Sequence, residues 1–329
     1  MKTVGRWKAA SVGTSSQLVG LQVNIIEHML DNKSRYCIRL GNEQGWCISA
    51  TKELSHWANR LAAIMQLEAC EPNGYPRLIF IAKNSDKTGR GETLSGGSDD
   101  SLEEKLSIYG WQVQDINDIR FWSRPNFADV ICEIGIGEET QEIVMMRHSL
   151  YPIYRGARDV GGLPLHAGLI ERDGRGVLLA APRNTGKSTC CRRIPKPWYV
   201  LCDEETLVVQ DARGQYLVHP FPTWSEYLMK RSKRTWNVQR CIPLSAIFFL
   251  EQAENDEVVA MGNGEAAVSI SNSIKQVLLR TQYYMDREEV KSSRLKLFDN
   301  ACELARKIPA YRLRITKRGR FWEEIEKVL

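Results

Sequence analysis

The order of apolar and polar positions breaks this chain into short blocks rather than long helical faces. Arg77-Leu78-Ile79-Phe80-Ile81, Val130-Ile131-Cys132-Glu133-Ile134 and Val177-Leu178-Leu179-Ala180-Ala181 are brief apolar runs bounded by turn formers, the pattern of buried strands. Tyr36 to Leu40 and Trp46 to Ile48 read as a hairpin across Gly41 to Gly45, and Gly110 to Val113 as another strand. Helical spacing occurs over Thr51 to Cys70, with Thr51 as N-cap and Glu53 in the first turn, and over Glu142 to Val160 as a connector. Lys83 to Asp100 carry the Gly, Ser and charge content of a mobile loop, an inert insertion sooner than a lid. The expected organisation is therefore a small α+β domain over residues 1–145 and an α/β domain over residues 146–329.

In the second domain, Leu169-Ile170 and Val177-Leu178-Leu179 flank a turn at Arg172 to Gly176, so they form a hairpin. Its second strand runs into Asn184-Thr185-Gly186-Lys187-Ser188-Thr189, and a helix starts at about Ser188. Strand, Gly-Lys-Ser loop and helix together make a phosphate-binding loop. Its backbone N–H groups and the helix N-terminus face phosphate oxygens, Lys187 reaches the outer phosphates and the Ser188 hydroxyl ligates Mg²⁺. Arg183, Asn184, Thr185, Gly186, Lys187, Ser188 and Thr189 are accordingly the candidate nucleotide-binding residues.

A second apparent buried strand, Trp198 to Cys202, ends in Asp203-Glu204-Glu205. Ligands of α/β sheets bind at that end of the strands, and Mg²⁺ is commonly held by one or two carboxylates with phosphate oxygens, which points to Asp203 and Glu204. The plainer reading of such a triplet is a solvated turn. His166, one strand away from the loop, reads by spacing alone sooner as a satisfied structural residue.

Leu165-His166-Ala167, Ala181 to Thr189, Leu201-Cys202-Asp203-Glu204 and His219-Pro220-Phe221-Pro222 together resemble the core of the HPr kinase-like P-loop kinases. The resemblance is closest to the divergent members of peptide-modification cassettes, the lasso-peptide precursor kinases and the SynChlorMet cassette protein. It runs from about Arg147 to the C-terminus, taking in Ala246 to Leu250 and Ile308 to Leu313 as later strands. It implies an HPr kinase/PEP carboxykinase-like core that moves the γ-phosphoryl group of ATP to a Ser or Thr hydroxyl of a ribosomally made precursor peptide or protein. Of the site residues, it implies His166 as the active-site histidine, Asp203 orienting the acceptor hydroxyl and accepting its proton, and Ser188 and Glu204 at the Mg²⁺. The two carboxylate roles remain interchangeable. Ala181 stands where the loop's first Gly is usual and Glu204 where Asp is usual, which motivates an alternative, a non-catalytic nucleotide-binding module of a peptide-maturation complex. The family's downstream Gly-rich phosphorylase signature has no counterpart, which argues against a reversible kinase/phosphorylase. By elimination, the first 145 residues are expected to recognise the acceptor.

Charge narrows the partners. Lys and Arg number 45 against 40 Asp and Glu, a net +5 that leaves no global nucleic-acid footprint. The basic clusters Lys230 to Arg234 and Arg312 to Arg320 read first as solvated surface. The nine cysteines show no Cys-x-x-Cys spacing, which argues against metal ligands, and most lie in apolar runs and read as small buried residues of a reducing compartment. With no apolar run of signal or membrane-spanning length, the expectation is a cytoplasmic protein with no membrane partner; a homo-oligomer stays open.

Overall fold

The computed structural model describes residues 30–71, 74–83, 106–107, 110–135, 137–182, 184–229, 233–278 and 287–329. The expected loop at 84–100, loop residue Arg183 and the basic residues 230–232 lie outside them. The described chain is mixed α/β, built on two mixed sheets.

The first sheet comprises β1 (Leu30–Arg39), β2 (Gly45–Thr51), β3 (Glu68–Ala69), β4 (Arg77–Ala82), β5 (Gln112–Ile116), β6 (Ile119–Ser123) and β7 (Val130–Ile134), in the order β3-β1-β2-β4-β7-β6-β5. Its centre is parallel, β2 with β4 and β4 with β7, and the flanking strands are antiparallel. After β2, a single 3-10 turn leads into helix α1 (Ser55–Met65). This helix is shorter than its apolar spacing predicts. Gln66 takes φ 50° and ends it, leaving Glu68 and Ala69 to pair with β1, where Cys37 and Cys70 form a disulfide. Those two cysteines depart from the expectation that most of the cysteines are small buried thiols of a reducing compartment. The Thr51 hydroxyl makes no cap bond.

Two helices, α2 (Glu139–His148) and α3 (Tyr151–Asp159), replace the single expected connector. The break falls at Ser149-Leu150, where Pro152 opens the second helix; proline suits a first turn and disrupts a helix interior.

The second sheet holds β8 (Leu163–Leu165), β9 (Ala167–Arg172), β10 (Arg175–Ala180), β11 (Tyr199–Cys202), β12 (Glu205–Gln210), β13 (Tyr216–Phe221), β14 (Ile242–Gln252), β15 (Glu257–Ala260) and β16 (Ala310–Ile315). The main path is β11-β9-β10-β14-β13-β12-β8, with β16 joining β14 to β15. Helix α4 (Lys187–Arg193) follows β10, and α5 (Trp224–Leu228) follows β13. Farther on come α6 (Asn263–Leu278), α7 (Arg287–Lys307) and α8 (Phe321–Glu326).

Strand alternation sorts the core. On β10, Leu178 and Ala180 join the largest apolar cluster, whereas Val177 and Leu179 face a second cluster with Cys190, Cys191 and Phe321. The large cluster is continuous from Ile48 and Phe80 of the first sheet through Met146 and Ile153 to Leu178 and Val218 of the second. Trp236 and Val238 also donate backbone N–H groups to the carbonyls of Ile64 and Met65 at the end of α1.

Candidate functional site

The β9–β10 hairpin turns at Asp173-Gly174, both at positive φ, which matches the twist of the paired strands. β10 and β11 are each antiparallel to β9, so they run in the same direction and finish at the same end of the sheet. β14 and β16 run that way too. The phosphate-loop sequence leaves β10 and the acidic triplet leaves β11, so the two candidate segments meet at one sheet end. Gln252, the last residue of β14, donates from Nε2 to the Thr185 carbonyl at 3.2 Å and ties the loop to that end.

Within the loop Asn184 and Gly186 adopt positive φ, 65° and 106°. An added Cβ at Gly186 would meet nothing within 4 Å, so the loop opens onto free space where its amides start helix α4. Lys187 is 7 % exposed, and its ammonium donates to the backbone carbonyl of Asp203. That bond joins the loop to the acidic turn. Ser188 is half-buried beside it, while Asn184 and Thr189 are exposed.

The acidic residues are buried, which overturns the solvated-turn reading: Asp203 is 8 %, Glu204 9 % and Glu205 1 % exposed. Asp203 Oδ1 accepts from the Thr223 hydroxyl at 2.5 Å, and Glu204 Oε2 accepts from the backbone N–H of Ser225 at 2.9 Å. Glu205 turns the other way, into the core. Its Oε1 accepts from the Tyr154 hydroxyl at 2.7 Å and its Oε2 lies 3.3 Å from Arg147 Nε. Attraction to Glu205 raises the Arg147 pKa, whereas burial raises that of Glu205 against the pull of Arg147 and Tyr154. The pair is read as ionised, because both contacts favour the carboxylate. Strand β11 itself is less buried than its apolar run implies: Tyr199 is exposed, since β11 ends the main strand path.

His166 sits between β8 and β9. Its neighbour Leu165 pairs with Thr206 and its neighbour Ala167 with Ala180, so the register sets the His166 backbone between the strand after the acidic turn and the strand before the loop. His166 is buried, and its backbone exchanges bonds with Ser273 of α6. Gly168 is needed for close approach: a Cβ there would lie 2.7 Å from Cys191 Sγ and 3.5 Å from the Asp203 Cα.

His219, which resembles a family motif residue, is fully buried away from this chemistry. Its Nε2 accepts from the Gly41 N–H at 3.0 Å, so Nδ1 carries the ring proton and donates to the Val238 carbonyl at 2.8 Å. Burial lowers its pKa to about 4. Among the described residues no group of three or more His, Cys, Asp or Glu side chains converges on a metal position. The oxygen-bearing side chains near this sheet end are those of Asp203, Glu204 and Ser188, with Asp203 Oδ1 and Glu204 Oε2 already accepting from Thr223 and Ser225.

A family model, SynChlorMet cassette protein ScmC, matches residues 130–329. The chain belongs to the ScmC family. No curated protein matches it. The ScmC match begins at the last central strand of the first sheet, β7, and takes in α2 and α3, hence also Arg147 and Tyr154. The acidic turn and the two residues that hold Glu205 therefore fall within one family unit. Thr223, Ser225, Arg147 and Tyr154 escaped the sequence reading, because none lies in a recognisable spacing with the loop or the acidic turn. No helix among the described residues is long and apolar enough to cross a membrane.

Proposed function

We propose that this chain is an ATP-dependent kinase of the HPr kinase-like P-loop type, acting on a Ser or Thr hydroxyl of a ribosomally made precursor peptide. The observation that carries this reading is the bond from Lys187 to the Asp203 carbonyl, which joins a phosphate-loop sequence to a buried acidic pair at one sheet end. The open space over Gly186 and the two adjacent carboxylates fit a nucleotide with Mg²⁺.

ATP would supply the γ-phosphoryl group, and Mg²⁺ would neutralise charge on its phosphates. The loop amides and Lys187 bind and orient the phosphates, which is most of what phosphoryl transfer asks of a protein. Ser188 and Glu204 would hold the metal. Asp203 orients the acceptor hydroxyl and takes its proton as the acceptor oxygen bonds to phosphorus and the bond to ADP breaks. His166 lies in the register between the two segments, where an imidazolium would add positive charge.

A specific observation favours a second reading, nucleotide binding without transfer. Ala181 and Pro182 occupy the start of the loop, where glycine would give the backbone more freedom to wrap a phosphate. Incubation with γ-labelled ATP and candidate peptides from neighbouring reading frames distinguishes them. Label on a peptide hydroxyl, absent with Lys187→Ala, supports the kinase; tight Mg–ATP binding with no label on any candidate supports the binding module.

A further inference from the structure

The turn after β13 handles its hydrogen bonds in an unusual way. Thr223 is the N-cap residue of α5, the position at which a threonine hydroxyl ordinarily accepts from an N–H of the first helical turn. It makes no such bond. Its hydroxyl donates to Asp203 Oδ1 at 2.5 Å, and the N–H of Ser225, two residues on, goes to Glu204 Oε2 at 2.9 Å. The acidic pair and the helix cap have exchanged partners. Thr223 is 2 % exposed, so its hydroxyl competes with little water for Asp203.

From this exchange we infer that Thr223 is a positioning residue for the proposed transfer. It holds Asp203 by Oδ1 and so presents Oδ2 to the acceptor, while the Ser225 amide fixes the reach of Glu204. Glu204 is the side chain that reaches the Ser225 amide, and Glu204→Asp, one methylene shorter, is expected to lose that bond. The inference rests on the kinase reading and adds to it the group that aims its base.

The test uses the full chain, with γ-phosphate release from Mg–ATP, water serving as acceptor, and calorimetry of Mg–ATP binding. Thr223→Val keeps shape and removes the donor; Thr223→Ser keeps the donor and removes the methyl. Turnover is expected to fall about 10- to 100-fold in Thr223→Val, the usual scale for losing a supporting hydrogen bond. KM and calorimetric affinity for ATP should stay within about twofold, and Thr223→Ser should recover most of the loss. A readout independent of activity is hydrogen exchange at the Ser225 amide, expected to speed up in Glu204→Asp and to stay slow in Glu204→Gln.

Unchanged turnover in Thr223→Val, or equal loss in the Val and Ser variants, overturns the positioning role and leaves the kinase reading standing. A Thr223→Val protein that loses ATP affinity and thermal stability together also overturns it, in favour of a purely structural threonine. A wild-type protein that neither releases γ-phosphate nor labels any peptide overturns the kinase reading and this inference with it.

Discussion

Lys187 is buried with its ammonium on the Asp203 carbonyl, so Lys187→Ala should leave that acceptor unpaired, at about 1–3 kcal/mol of stability, as well as remove the charge proposed to meet phosphate. Turnover of Lys187→Ala is expected to drop on the order of 10²-fold or more, the scale of one well-aimed electrostatic contact. Unchanged calorimetric affinity and unchanged turnover would move the nucleotide elsewhere. Asp203→Asn keeps an acceptor for Thr223 but removes charge and basicity; it should bind Mg–ATP and release almost no γ-phosphate, whereas Glu204→Gln should raise the Mg²⁺ requirement. Arg147 gives a separate test of the buried ion pair. Arg147→Ala leaves Glu205 charged and unpartnered except for Tyr154, a loss of about 3–5 kcal/mol by comparison with other buried pairs. Without Arg147, the folded-state pKa of Glu205 moves further above its unfolded value, so the folded state binds the extra proton and stability falls as pH rises. Denaturant melts should therefore show a larger deficit at pH 8 than at pH 5, and a pH-independent deficit would argue against a charged Glu205. The meeting of Lys187 with the acidic turn at one sheet end was legible because strand, loop and acidic triplet follow one another in local spacing. Thr223 and Arg147 were not, because a hydroxyl or guanidinium far along the chain signals nothing until the fold brings it to a carboxylate.

At the scale of elements, His219 shows how β13 is fastened to the first sheet. Its neutral ring bridges the Gly41 N–H in the β1–β2 turn and the Val238 carbonyl, and burial lowers its pKa to about 4 from an ordinary value near 6.5. The unfolded chain then binds the proton first as pH falls. The stability this neutral ring contributes is complete above about pH 6.5 and is lost progressively toward pH 4, on the order of 3 kcal/mol in all. His219→Gln cannot titrate, so its unfolding free energy should lack that part of the slope; matching slopes in the two proteins would show that another group is responsible. The strands β4, β7 and β10 were readable because each is a compact apolar run, whereas β14 and β16, the latter broken by Arg312 and Arg314, were expected only from the family resemblance. The end of α1 was hidden: Gln66, not glycine, takes the left-handed conformation that stops it. The α2–α3 break had a visible sign in Pro152, which opens α3.

For the whole molecule, the consequence lies in where the core runs. The boundary expected between residues 145 and 146 falls inside α2, and one apolar cluster passes from Phe80 through Met146 to Leu178. Backbone bonds from Trp236 and Val238 to the end of α1, and the bond from the Gly41 N–H to the His219 ring, tie the two parts together beside that cluster. A chain cut to residues 146–329 would expose the apolar face that Ile48, Phe80 and Trp57 cover, and would leave the Trp236 N–H, the Val238 N–H and His219 Nε2 without these partners. Each such loss costs about 1–3 kcal/mol where the group stays buried, against a total stability of about 5–15 kcal/mol. The truncated chain is therefore expected to show no cooperative denaturant transition and no near-ultraviolet signal, while the full chain unfolds in a single transition. This bears on how acceptor recognition by the first 145 residues can be tested. Deletion would remove the fold along with any recognition surface, so point changes on exposed residues of the first sheet, such as Val113 on β5, are the informative route. A truncated chain that melts cooperatively and binds Mg–ATP would show instead that the second sheet and its helices stand alone, and deletion would then report directly on the acceptor's KM.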